Sequence, residues 1–444
     1  MPIKRRYETR PLESWAKAKE LRQQHYRDVW EAREKGKILA SGGESSFFPL
    51  LAGLGEFEFF GGEPFGASSS ATDPDFVIRC HEAIEAKGYT GNMCAYQRVY
   101  WGAMLLNESS PETMPFFGEF VKPDFSLPWA MCDNHGKWYQ TVAEYHKTPV
   151  YVIGVPLRPH SDDDAGRRES HVNGLVAEFE DAIEWMMKVT RKEHYDDEAL
   201  IEAVTNAINN TAIWAKCCEE NKAIPAPLDM KSMYSLYVIN SLMRHKKEVT
   251  EFYKMLYDEV KERVADGIAA IGNERYRVLH DPEPIWHYLK LFRYLEEYGV
   301  VCNSSIYGFT IGTSFVRGEN GSWAAAKTMG ESGKALRTRS DALRLLAESY
   351  IDNPGIMAWY PGNKTEDTVR MARDWKCDGA VLSLNCGCSL TAGQLESKLA
   401  LEKAGFPAML YDANMTDPRK FDEAALLRNI DEFMEGQGLQ KIEE

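Results

Sequence analysis

The sequence predicts an α/β protein of two doubly wound parallel-sheet domains joined by a helical segment. Three observations carry that prediction. From residue 364 onward, helical patterns and apolar runs of strand length alternate at the spacing of βαβ units. In the first half, Pro-Val-Tyr-Val-Ile-Gly-Val-Pro over 149–156 follows a helical stretch and has the continuous hydrophobicity of a strand buried on both faces. Between the halves, 174–264 reads as helix almost throughout, broken only at Ile224-Pro225-Ala226-Pro227.

The expected divisions are an N-terminal helical arm over 1–40, a first α/β domain over 41–160, a helical segment over 161–280 and a second α/β domain over 281–444. In the arm, Trp15, Leu21, Tyr26, Val29 and Trp30 recur at helical spacing over 12–37, as in a cap or a subunit contact. A turn at 42–46 and a glycine turn at Gly61-Gly62-Glu63-Pro64 flank an apolar segment, 47–60, and suit close approach of a ligand. Helices are expected at 75–87, through Leu106 and up to His146. In the helical segment Leu200, Val204 and Ile208 mark one face, and Leu236, Ile239 and Leu242 another. The second half is read as helix 284–298, strand 299–302, a polar loop through Ser332, helix 364–376, strand 379–384, helix 391–404, strand 407–411 and a last helix after Pro418.

A formal net charge of -15 argues against nucleic acid and anionic membrane as partners, so an anionic substrate must be met by local cations. The N-terminus shows no apolar signal segment and no run is long enough to span a membrane, which together with nine scattered cysteines predicts a cytoplasmic protein without disulfides. No G-x-x-x-x-G-K-[ST] occurs, and no G-x-G-x-x-G follows a strand, so the chain shows no nucleotide-binding loop of its own.

The chemistry concentrates in three cysteine segments. Cys94 follows a glycine-bounded turn, Cys132 opens a helix, and Cys386 and Cys388 flank Gly387 directly after a strand, where ligand sites form in open α/β sheets. A helix N-terminus and exposed backbone N–H groups favour a thiolate at each place. Thiolates from separate loops suit an iron–sulfur cluster and also zinc. Cys80, Cys217, Cys218, Cys302 and Cys377 lie on helical or strand patterns and read as core, and spacing alone is equally compatible with buried free thiols throughout.

The Gly-Asn-x-Cys-x-Tyr-x-Arg setting of Cys94, the run Leu-Pro-Trp-Ala-Met-Cys-Asp-Asn over 127–134, and Asn385-x-Gly387-Cys388 with Ala404-Gly405-Phe406-Pro407 after it resemble the three cluster-ligand segments of the benzoyl-CoA reductase and 2-hydroxyacyl-CoA dehydratase family. Within it, the long arm, Gly61-Gly62-Glu63-Pro64 and Asp412-Ala413-Asn414-Met415 look most like the larger cluster-bearing subunit of ATP-dependent benzoyl-CoA reductase. The resemblance implies a [4Fe-4S] cluster on Cys94, Cys132 and Cys388, with Cys386 as the competing third thiol. It further implies a smaller homologous cluster-bearing subunit, an ATPase pair that feeds in electrons from a ferredoxin-type low-potential donor, and an acyl-CoA substrate. The activity expected is reduction of benzoyl-CoA to a cyclohexadiene-carbonyl-CoA. A radical 2-hydroxyacyl-CoA dehydratase and an electron-relay or scaffold subunit are the alternatives. On this reading His135 is the candidate proton donor, Glu63 a proton relay or orienting group, and Arg98 and Lys137 candidate contacts for the CoA phosphates. Tyr96, Trp129 and Trp138 are candidate walls of an aromatic pocket.

Overall fold

The computed structural model describes residues 6–44, 47–114, 118–157 and 165–442. Ser45 and Ser46, the end of the turn expected at 42–46, and the expected division at 160/161 lie outside those residues.

The arm forms helix α1 (Trp15–Glu31), which packs against the first unit and the helical segment rather than projecting from them. Glu259 accepts from the backbone N–H groups of Glu13 and Ser14, at 2.6 and 3.0 Å, and holds the start of the helix down.

The first sheet is parallel, ordered β2-β1-β3, from β1 (Ile38–Gly42), β2 (Phe57–Gly61) and β3 (Phe125–Ser126). The strand expected at 149–156 extends it only through isolated parallel bridges, Ser126 to Val150 and Trp129 to Ile153. Side chains alternate across this sheet as strand geometry requires. Leu39 and Phe60 join the core shared with the second half, while Ala40, Phe57 and Phe59 join a core under the helical segment. Around the sheet lie α2 (Gly62–Thr72), α3 (Pro74–Glu85), α4 (Ala95–Leu106) and α5 (Asp133–His146). The second glycine turn expected at Gly61-Gly62-Glu63-Pro64 is instead the entry to α2: Gly61 is extended and Gly62 already helical, with the proline ring in the first turn, where its missing N–H costs nothing.

The helical segment contains α6 (Ala165–Thr190), α7 (Asp197–Glu220), α8 (Met230–Leu236), α9 (Val238–Met243) and α10 (Lys247–Asp266). Its α7 packs on the short helical turn Phe48–Leu54 of the first half and on the second-half helix Arg339–Ile351, so the segment bridges the two.

The second sheet is parallel, ordered β5-β4-β8-β9. Its first strand, β4 (Tyr276–Asp281), lies before the expected start at 281, because its run Tyr-Arg-Val-Leu-His-Asp is interrupted by ionisable residues that find buried partners: Arg277 pairs with Glu274 at 2.8 Å. Only a short turn and α11 (Leu291–Glu296) form where a helix over 284–298 is expected, and β5 (Val300–Ser304) follows. The stretch read as a polar loop holds α12 (Ile306–Thr310), the hairpin β6 (Phe315–Arg317) with β7 (Trp323–Ala325), and α13 (Met329–Ser332). Then come α14 (Arg339–Ile351), α15 (Pro354–Met357), α16 (Pro361–Asp374), β8 (Gly379–Asn385), α17 (Gln394–Lys403), β9 (Ala408–Ala413) and α18 (Glu423–Gly436). Among the described residues no helix is long and apolar enough to cross a membrane.

Candidate functional site

Loops that follow strands of both sheets meet at one place. Cys94 occupies the N-cap of α4, Cys132 the N-cap of α5, and Cys388 the position before the short turn Ser389–Thr391 that follows β8. Gly387 has φ +77°, and a Cβ there would stand 2.5 Å from the carbonyl carbon of Met93. The turn that carries Cys388 is therefore pressed against the residue before Cys94, and only glycine allows that approach. Asn134 donates to the Gly387 carbonyl at 3.3 Å and ties the start of α5 to the same turn.

These thiols lie in one another's field. Burial pushes the Cys94 thiol up, the charge of Cys132 and Glu63 adds to this, and N–H groups of Tyr96 and Gln97 at the helix start pull the other way. Burial also pushes Cys388 up, reinforced by Glu283 and by Cys94. The Cys386 sulfur lies 3.7 Å from Asn92 Oδ1 and 4.0 Å from the Gly91 carbonyl, in the turn before Cys94.

Among the described residues no three or more His, Cys, Asp or Glu side chains are placed to hold a single metal ion. In an iron–sulfur cluster each thiolate binds a different iron, so its ligands stand farther apart than those of one ion. The donor chemistry fits such a group: Cys94 is a buried thiol and Cys388 a half-buried one, and only a strong local positive charge would ionise them.

Beside the thiols stands a chain of acids and phenols. The His135 ring bonds Glu63 through Nε2 and lies 3.2 Å from the Trp129 carbonyl through Nδ1. Burial alone would lower this histidine, but the Glu63 carboxylate outweighs it and carries it up to about 10. A Cβ on Gly43 would collide with the same ring at 2.5 Å, so the loop after β1 is shaped around it. The other oxygen of Glu63 accepts from the Glu44 backbone N–H at 2.8 Å. The Glu44 carboxyl, pushed up to about 8 by burial and then by Glu63, accepts from the Tyr307 hydroxyl at 3.1 Å, and Tyr307 bonds Tyr237 at 3.1 Å. The Cys388 thiol donates to Glu283 at 3.1 Å, and burial pushes Glu283 up to about 7. Glu44 Oε1 and Glu283 Oε2 are buried without a hydrogen-bond partner among the described residues. Tyr96, Tyr237 and Tyr307 feel both one another and these carboxyls.

Cys94, Cys132, Cys388, Glu63 and His135 thus come together, whereas the two expected phosphate contacts do not. Arg98 is fully buried between Glu85, at 2.5 Å, and Asp417, at 3.3 Å, with no open face for a phosphate. Lys137 is exposed on α5 and donates to Gln140 at 3.1 Å. Trp129 contributes its carbonyl to His135, while Trp138 stacks on Tyr139 in the core.

Sequence reasoning missed Glu44, Glu283, Tyr237, Tyr307 and the buried pair Lys364–Asp281, whose charged atoms stand 3.1 Å apart. A signal was available: Glu44, Glu63 and Glu283 each stand two residues beyond the carboxyl end of a parallel strand, β1, β2 and β4. Reading it required recognising β1 and β4 as strands. The phenols had no such signal, since buried tyrosines are usually core.

A family model described as 2-hydroxyglutaryl-CoA dehydratase, D-component, matches residues 78–436. The chain belongs to that family. Among its relatives, the (R)-2-hydroxyisocaproyl-CoA dehydratase alpha subunit of Clostridioides difficile is 24% identical over 93% of this chain and 93% of its own length. The (R)-phenyllactyl-CoA dehydratase alpha subunit of Clostridium sporogenes is 26% identical over 77% of this chain and 76% of its own. A benzoyl-CoA reductase subunit of Thauera aromatica is 21% identical over 79% and 78%. This dehydratase-family chain is thus similar to subunits of acyl-CoA dehydratases and of an acyl-CoA reductase.

Proposed function

We propose that the chain is the iron–sulfur subunit of a radical 2-hydroxyacyl-CoA dehydratase. The observation that carries this reading is that three loop thiols, Cys94, Cys132 and Cys388, neighbour a set of acids that includes the two raised carboxyls Glu44 and Glu283. Cys94, Cys132 and Cys388 would hold a [4Fe-4S] cluster, which when bound supplies single low-potential electrons. The protein's part is to exclude water and to deliver protons. A 2-hydroxyl group is a poor leaving group unless it takes a proton and departs as water. Glu44, neutral at pH 7, is the group that can give one, and the Glu63–His135 pair holds the Glu44 backbone in place. The dehydratase relatives support this chemistry.

A second reading, reduction of benzoyl-CoA to a cyclohexadiene, is supported by the reductase relative and by the wall of Tyr96, Tyr237 and Tyr307. In both readings a smaller homologous subunit completes the complex. Electrons come from an ATP-hydrolysing pair charged by a ferredoxin-type donor, since no phosphate-binding loop motif occurs here. The anaerobically purified complex is expected to contain iron and labile sulfide. With ATP and a strong reductant it is expected to release water from a 2-hydroxyacyl-CoA. Diene formation from benzoyl-CoA without any dehydration would replace the first reading by the second, and absence of iron and sulfide would overturn both.

A further inference from the structure

Among the described residues Lys364 is the one lysine that is buried. It stands in the first turn of α16, the end of a helix at which the backbone dipole disfavours a cation. Burial adds the loss of its hydration, and an ion pair repays that loss poorly: apolar side chains in place of a buried pair often serve stability as well. The position calls for a reason other than stability.

That reason lies in what the ammonium joins. It donates to the Leu390 carbonyl, two residues beyond Cys388, and stands 3.1 Å from Asp281 Oδ2 at the end of β4. Asp281 carries the link further. Its Oδ1 accepts from the Tyr307 N–H at 2.9 Å, at the start of α12, and its Oδ2 from the Gln394 amide at 3.3 Å, at the start of α17. Glu283 follows Asp281 by two residues, and Tyr307 is the phenol that reaches Glu44. One cation thus holds the turn with the third thiol, the loop with its carboxyl partner and the helix that serves Glu44.

Other bonds fix the β4 loop, but they act before Gly387. Ser383 Oγ and Asn385 Nδ2 donate to the Glu283 carbonyl at 3.1 and 2.8 Å. Cys388 lies beyond that glycine, where Lys364 and Gln394 tie the chain to Asp281.

We propose that Lys364 is a positioning residue of the thiol site: its ammonium sets the Cys388 turn against the β4 loop and so places the Cys388 sulfur 3.1 Å from the Glu283 carboxyl. The inference rests on the reading of Cys388 as a ligand, yet the placement belongs to the chain before any cluster is bound.

Alkylation of each cysteine by iodoacetamide in the reduced, cluster-free full chain, followed by peptide mass spectrometry, tests it. Cys217 and Cys218, buried in α7, report global opening. Lys364→Met keeps the length of the side chain without its donors, and is expected to speed Cys388 by about tenfold or more beyond any change at those two reporters. Arg277→Met removes a buried cation near the opposite end of β4 and is expected to move Cys388 no more than it moves the reporters. Adding Asp281→Asn to Lys364→Met removes the carboxylate left without its cation and keeps an acceptor for the Tyr307 N–H. That double variant should bring the reporters back toward their native rates and leave Cys388 fast. If Cys388 returns with them, Lys364 only balances the charge of Asp281 and the proposal falls. It falls equally if Lys364→Met moves Cys388 no more than the reporters. In the anaerobically reduced holoprotein, Lys364→Met is expected to displace the electron paramagnetic resonance spectrum and Arg277→Met to leave it as in the native chain; an undisplaced spectrum in Lys364→Met overturns the proposal. A native chain without iron would fail the proposed function, while the alkylation rates would still decide the role of Lys364.

Discussion

Glu44 concentrates the site's electrostatics in one side chain. Its carboxyl is buried, faces Glu63 and the phenols of Tyr307, Tyr237, Tyr96 and Tyr26, and is raised from 4.5 to about 8. An acid whose folded pKa is raised keeps its proton in the fold after the unfolded chain has lost it, so its contribution to stability is complete below about 4.5 and is lost as pH rises to about 8. The shift corresponds to on the order of 5 kcal/mol across that window, before structural relaxation. Glu44→Gln removes the titration. Its unfolding midpoint is expected to overtake that of the native chain as pH rises from about 5 to about 8, with a parallel pH dependence of the two proteins as the contrary result. Residue by residue, the thiols were singled out by the resemblance of their segments to a family, because their spacing alone fits buried free cysteines as well. Glu44 was not, because a glutamate after two glycines also looks like an ordinary loop residue.

At the scale of elements, the long periodic helices were read with the right type and place. α3, α5 and α16 fall within a few residues of the expected ranges because each presents a clear apolar stripe. β1 and β4 were not read. Both are short parallel strands whose neighbours, rather than their own composition, satisfy their polar residues, as Ser41 shows by bonding Ser126 at 2.8 Å. Arg98 shows how an element can mislead: four residues into the Cys94 helix, it looks like a ligand contact, yet it pins α4 to the turn Pro418–Lys420 through Asp417. Asp417 is held well below the usual carboxylate range, where Arg419, His81 and Arg98 outweigh the cost of burial. Removing one partner of a buried pair costs about 3 kcal/mol. Arg98→Ala is therefore expected to lower stability by about that amount in urea denaturation while leaving coenzyme A affinity unchanged in the folded fraction. A loss of affinity without a loss of stability would return Arg98 to the phosphate site.

At the scale of the molecule, the halves are separate in sequence but not in the core. One cluster of buried side chains runs from Leu39 and Phe60 of the first sheet to Val278 and Ala380 of the second. The site has the same construction, with Cys94 and Cys132 from one half and Cys388 from the other. The parallel doubly wound halves were predictable from alternation, but their shared core was not, because nothing local in a strand records which distant helix covers it. A group held by thiols from both halves, as the proposed cluster would be, would bind the closed, folded chain and not the open one and so stabilise the whole molecule by mass action. Removing iron from the anaerobic holoprotein with a chelator is accordingly expected to lower the thermal midpoint and to broaden the transition as the halves part before each unfolds. Cys388→Ala should show the lowered midpoint without chelator and no further change on adding it. Cys386→Ala, whose sulfur lies against Asn92 while Cys388 bonds Glu283, should behave as the native chain. If Cys386→Ala loses the iron and Cys388→Ala keeps it, the third corner of the site is the other thiol of the same turn.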